Sequence, residues 1–249
     1  MFGPRRTRFR FYKPEHTVGS RLLGIVKFLI LLFLMYELIT TFFVATHEIQ
    51  STAMRPTLEP GDRIIVSALP YGAQLPLFGT RAPAFGSPDR GDIVVFRPTH
   101  TEASSWFASP ARSLLRFVSA GRIRLGDDPV FPETVVRRVI ALPGDTVRME
   151  DFVFYVQSES SGAFESEFEI ADLRYSLVRE DEATDWPEDL PFSGTMDPVE
   201  LDEDQYFLAA DNRPGAIDSR RHGEVSRDTL LSRAVFRYAP YDGFGTLNR

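Results

Sequence analysis

The run from Leu22 to Thr46 constrains this chain more than any other stretch. Leu, Ile, Phe and Val dominate its 25 residues, with Lys27 near the start and Glu37 in the second half. At 1.5 Å per residue, a helix of that length reaches roughly 37 Å, enough to cross a bilayer with some tilt. Residues 1–21 carry Arg5, Arg6, Arg8, Arg10, Lys13 and Arg21 against a single acid, Glu15. Such an arm stays cytoplasmic, which puts residues 47–249 on the outer face of an inner membrane. A cleaved leader would have a shorter apolar region and a small-residue cleavage site, so a retained single-pass anchor in the lipid bilayer is expected. Glu37 is costly in lipid; it either contacts a membrane-protein partner or sits protonated without a specific role.

Composition narrows what the outer part can do. A net charge of -7 argues against a nucleic-acid partner. Cysteine is absent, which excludes disulfides and thiolate chemistry. His16, His47, His100 and His222 show no ligand spacing, so neither a metal nor another cofactor is expected. Of 28 basic residues only Lys13 and Lys27 are lysines. From residue 28 onward the chain therefore has no amine that could serve as a base.

The outer part reads as many short strands. Asp62–Val66, Gly91–Phe96, Val135–Leu142, Phe152–Gln157, Tyr206–Ala209 and Ser232–Tyr238 are β-rich runs bounded by Gly and Pro. Pro60-Gly61, Pro143-Gly144-Asp145 and Arg213-Pro214-Gly215 punctuate them as turns. The expected fold is mostly β, an antiparallel barrel or sandwich preceded by one transmembrane helix. Two inserts interrupt it, at about 98–134 and 158–205. The first predicts a short helix from Ser109-Pro110 to Ala120, which either covers its own domain or rests among lipid headgroups. The second is acidic and Ser-rich and predicts loops on the outer surface or a partly formed subdomain, with an acidic binding surface as a further alternative.

Four ordered blocks carry the functional signal: Ile49–Leu58, Arg90–Phe96, Val136–Asp145, and Asp211-Asn212-Arg213 continuing to Asp218-Ser219-Arg220. In this order they resemble those of type I signal peptidases, membrane-anchored serine endopeptidases that cut signal peptides. The resemblance spans roughly residues 20–238 apart from the inserts. It implies the family's all-β catalytic core, with Pro56, Asp211, Asn212, Arg213, Asp218 and Arg220 as motif residues. It also implies a substrate that docks as an extended strand, with Ile49, Met54, Leu58, Val135 and Val136 matching the pocket for the residue before the cut.

The resemblance also marks where the chain departs from its pattern. The family attacks with a Ser and deprotonates it with a neutral Lys, because serine at its free pKa is a poor nucleophile. Here the nucleophile position is Ala53 and the base position Arg137, while the Ser that orients the lysine is Ala216. Ser51 matches an oxyanion-hole hydroxyl. A methyl cannot attack, and a guanidinium stays protonated at any working pH. An engineered knockout would explain Ala53 alone, whereas natural loss explains all three. Two functions follow: a pseudopeptidase that binds export-type signal peptides or a membrane partner, or an active signal peptidase using an unconventional group.

Overall fold

The computed structural model describes residues 18–42, 45–72, 82–97, 134–179 and 194–247. The helix expected through Ala120 lies outside them. So does the Glu37 side chain.

The first element, α1 (Val18–Phe42), is long and apolar enough to cross a membrane, and Leu22, Leu31 and Met35 on it are exposed. It starts before Leu22 and stops short of Thr46. Ala45 and Thr46, expected inside the apolar span, instead open β1 (Ala45–Glu48) by pairing with Val66 and Ile65 of β2 (Arg63–Ser67). Their backbone groups are satisfied by a neighbouring strand rather than by a further helical turn.

Two antiparallel sheets follow, as the strand spacing predicts. The larger runs β1-β2-β11-β3-β4-β9-β10, with β12 (Gly245–Thr246) beside β11 (Leu230–Ala239). The remaining members are β3 (Ile93–Phe96), β4 (Val135–Ala141), β9 (Gln205–Ala209) and β10 (Val225–Ser226). The smaller sheet runs β7-β6-β5-β8, built from β5 (Thr146–Glu150), β6 (Val153–Gln157), β7 (Phe164–Ser166) and β8 (Met196–Glu200).

Side-chain alternation explains the core. In β3 all four residues are buried, because Ile93 and Val95 face one apolar cluster while Val94 and Phe96 face another. The first cluster also takes Ile49, Met54, Leu58, Ile64, Val66 and Val136. A third cluster lies against the smaller sheet, where Phe154 meets Phe207 edge-on at 5.3 Å. Tight turns hold the strands in register. Gly91 has φ +85°, and a Cβ there would stand 2.0 Å from Leu173 Cδ1, so only glycine fits. Asp145 caps the turn after β4 by accepting from Leu142 N–H at 2.7 Å, and Arg90 grips the same carboxylate through Nη2 at 2.7 and 2.8 Å.

The second insert is more than loop. Ser166 opens a helical turn (Glu167–Ile170) with a reciprocal capping box to Glu169. Beyond it, Val178 bridges Asn212 in parallel, its N–H donating to the Asp211 carbonyl and its carbonyl accepting from Arg213 N–H. The segment thus straps across the last of the four blocks.

Candidate active site

Ala53 sits on a single 3-10 turn (Thr52–Met54) between β1 and β2. Ser51 caps it: its Oγ accepts from Ala53 N–H at 3.1 Å. The far side is held by Asn212, whose N–H donates to the Ala53 carbonyl at 2.9 Å and whose Nδ2 donates to the Thr52 carbonyl at 3.4 Å. Asn212 Oδ1 in turn accepts from Gly215 N–H, and any Cβ at Gly215 would stand 2.5 Å from that side chain. So the Asp-Asn-Arg turn backs the turn bearing Ala53. The Arg55–Pro56 bond between them and Thr57 is cis.

Ala53 packs with Ala210 and Ala216 in a small cluster of methyl groups. Ala53 is only 2% exposed. Beside it, Ile217 offers its carbonyl to Arg137, which donates from Nε at 3.2 Å and Nη2 at 2.7 Å. Arg137 Nη1 donates to the Val136 carbonyl at 2.6 Å. No carboxylate pairs with Arg137 among the described residues. Burial pulls its pKa down to about 10, only partly offset by the charge of Asp218. That is still far above neutrality. The guanidinium is a cation here, with nothing to accept a proton.

The neighbouring arginines behave differently. Arg138 forks onto Asp211 through Nε at 2.8 Å and Nη2 at 2.6 Å, and Thr57 donates its hydroxyl to the same carboxylate. Its guanidinium lies 3.8 Å over the Tyr175 ring. Burial lowers the Arg138 pKa, but the Asp211 charge and bonds more than reverse it. Arg213 is fully buried, bonds Glu167 and the Ala210 carbonyl, and rests 4.7 Å over Phe154. Arg220 forks onto Asp218 at 2.8 and 2.9 Å and donates to the Arg213 carbonyl at 2.6 Å. Asp218 also accepts from Ala210 N–H, which ties this pair to the methyl cluster.

The structure brings most of the sequence-derived residues together. Ser51, Ala53, Asn212 and Ala216 share one corner with Arg137, while Asp211, Arg213, Asp218 and Arg220 brace it. Ile49, Met54, Leu58 and Val136 share an apolar cluster, and Met54 and Leu58 are 1% and 0% exposed. Val135 does not join them. As the next residue along a strand it points to the opposite face, against the cluster of Tyr71, Val94 and Phe96. Pro56 lies on the exposed side of its loop.

Two residues escaped the sequence reading. Glu167 supplies the carboxylate that Arg213 needs, and Tyr175 donates its hydroxyl to Glu167 while stacking under Arg138. Burial, reinforced by the Glu167 charge, raises the Tyr175 pKa, so the hydroxyl stays protonated and donating. Two signals could have located them: the Ser-x-x-Glu capping box at Ser166, and the need of each buried arginine for an acid.

Known proteins resemble this one along most of its length. The family model described as signal peptidase, peptidase S26, matches residues 22–239. A probable signal peptidase I-2 of Synechocystis sp. is 28% identical over 209 residues, covering 84% of this chain and 69% of that protein. The signal peptidase I of Leptolyngbya laminosa is 27% identical over 210 residues, 84% of this chain and 75% of its own. A crystallised signal peptidase I of Enterococcus faecalis is 21% identical and covers 60% of this chain and 98% of its own, at a TM-score of 0.31.

Proposed function

This chain belongs to the signal peptidase family, peptidase S26, and from that premise we propose that it binds extended export-type peptides without cutting them. The supporting observation is the corner itself. Where the family's chemistry needs a hydroxyl, a neutral amine and an orienting hydroxyl, this chain has two packed methyl groups and a cationic guanidinium bonded to carbonyls. A nucleophile needs a neighbour to take its proton. Arg137 carries its own proton at neutral pH and has no capacity for another.

Binding has no such requirement. A peptide that adds as a strand is held by main-chain hydrogen bonds, with side-chain pockets supplying selectivity. On this reading the turn bearing Ala53 and the strand bearing Arg137 supply that backbone. The helix α1 anchors the domain in the bilayer, with the basic arm cytoplasmic and the β domain outside.

To test this, the full-length protein in detergent micelles is given a signal-peptide substrate alongside the variant Ala53→Ser with Arg137→Lys. The expected result is no cleavage by the natural chain and measurable cleavage by the variant. Cleavage by the natural chain at a rate like that of its relatives would refute the reading. One observation favours a second reading, an active peptidase: Ser51 is exposed, two residues before Ala53, in a chain whose relatives are named signal peptidase I. On that reading Ser51→Ala would abolish turnover while leaving the fold intact.

A further inference from the structure

The buried charges around Ala53 do not balance. Among the described residues, Arg137, Arg138, Arg213 and Arg220 face only three carboxylates, Asp211, Glu167 and Asp218, and each of those is already claimed by an arginine other than Arg137. Arg137 is left over. It lies close enough to Arg220 for the two cations to oppose one another. Arg220 Nη1 is itself buried with no acceptor among the described residues. Buried unpaired cations are expensive, so a corner with one positive charge in excess and orphaned donors is suited to an anion from outside.

The donors have a definite shape. A guanidinium has five N–H groups, and Arg137 spends three, on Ile217 twice and Val136 once. One N–H remains on Nη1 and one on Nη2, the nitrogens with which arginine grips both oxygens of a carboxylate. Arg137 keeps 7% of its surface exposed. Ser51 is exposed beside the same turn, its Oγ accepting from Ala53 N–H and its own hydroxyl hydrogen still able to donate. The carboxylates nearest the methyl groups of Ala53, Ala210 and Ala216 are already neutralised, Asp218 by Arg220 and Asp211 by Arg138.

We propose that Arg137 makes this corner a receptor for the free C-terminal carboxylate of an extended peptide, so that the chain holds already-cut peptides in preference to uncut ones. The inference rests on the non-cutting, peptide-binding reading above. In that pose the peptide ends where a bond would have been broken, and its terminal carboxylate supplies the missing counter-charge. An uncut chain would place a neutral amide there instead.

The test measures binding of three fluorescent peptides to the full-length protein in micelles: one ending in a free carboxylate, the same peptide as a C-terminal amide, and a longer uncut version. Sodium acetate alone is the fourth arm. The free acid should bind at least roughly tenfold more tightly than the amide, as expected for loss of a charge-assisted contact. Arg137→Gln should erase that ratio, bringing free acid and amide to equal affinity. Arg137→Lys, which keeps the charge but not the fork, should retain part of it and guards against a misfolded Gln variant. Equal binding of acid and amide overturns the carboxylate receptor but leaves peptide binding standing. Acetate competing as well as the peptide acid would reduce the corner to a small-anion site and also overturn it. Failure of all three peptides sinks both readings. Cutting of the long peptide sinks the non-cutting reading by itself, because the acid-to-amide ratio is read on peptides that end before the cut.

Discussion

Arg213 and Arg137 are both buried arginines of the same corner, yet they are held in opposite ways. Arg213 has a carboxylate, a carbonyl and an aromatic face; Arg137 has only carbonyls. The same division separates two regions. The frame of Asp211–Arg220 is a set of closed ion pairs, each also bonded to backbone. The corner of Ala53, Arg137 and Ala216 has neither a reactive group nor a charge partner of its own. The difference teaches that one region satisfies its buried charges internally while the other leaves the Arg137 cation on backbone carbonyls alone.

The largest expected effect would come from giving the corner its chemistry back. Ala53→Ser, Arg137→Lys and Ala216→Ser together should raise signal-peptide turnover by about three orders of magnitude or more, the usual scale for loss of a nucleophile and base. Its pH profile adds a sharper check. A lysine in the place of Arg137 meets the same desolvation that lowers the arginine, so its pKa falls below about 10.4 and the active neutral form appears above that lowered value. Turnover should therefore rise with pH through a midpoint below that of a free lysine. A flat profile would mean that another group takes the proton.

Breaking the frame comes next. Arg213→Met strands Glu167 in the interior and should cost about 3–5 kcal/mol in urea unfolding of the outer domain. A cost under about 1 kcal/mol would show that the Arg213 pair is not what holds the corner. Tyr175→Phe keeps the ring under Arg138 but removes the hydroxyl bonded to Glu167, for roughly 1 kcal/mol. The smallest effect is expected where the charge is already unpaired. Arg137→Met should change stability by no more than about 1 kcal/mol, and in the stabilising direction, since it removes a buried cation without stranding an anion. If it destabilised as much as Arg213→Met, the two regions would not differ in kind.

Much of this was legible from residues alone. The apolar run announced the long helix α1, and β-rich runs between Gly and Pro located β2, β3, β4, β6, β9 and β11. The four blocks marked Ala53, Arg137 and Ala216 as the positions to watch. Less legible were β1, β5, β7 and β8, short strands with polar residues whose conformation is decided by the neighbours they pair with. Val135 and Val136 are indistinguishable as letters; strand alternation sends them to different clusters.

The sequence by itself determined that position 137 carries a guanidinium and positions 53 and 216 carry methyl groups, because that depends only on which atoms a side chain contains. It also determined a mostly β chain with one long apolar helix at its start, because apolar length and strand punctuation are local properties. Only the tertiary structure decided which carboxylate belongs to which arginine. Glu167 reaches Arg213 across 46 positions of sequence and Asp211 reaches Arg138 across 73. Arg137 is left without one, because pairing in a dry interior is settled by distance and burial, neither of which is written in the order of residues.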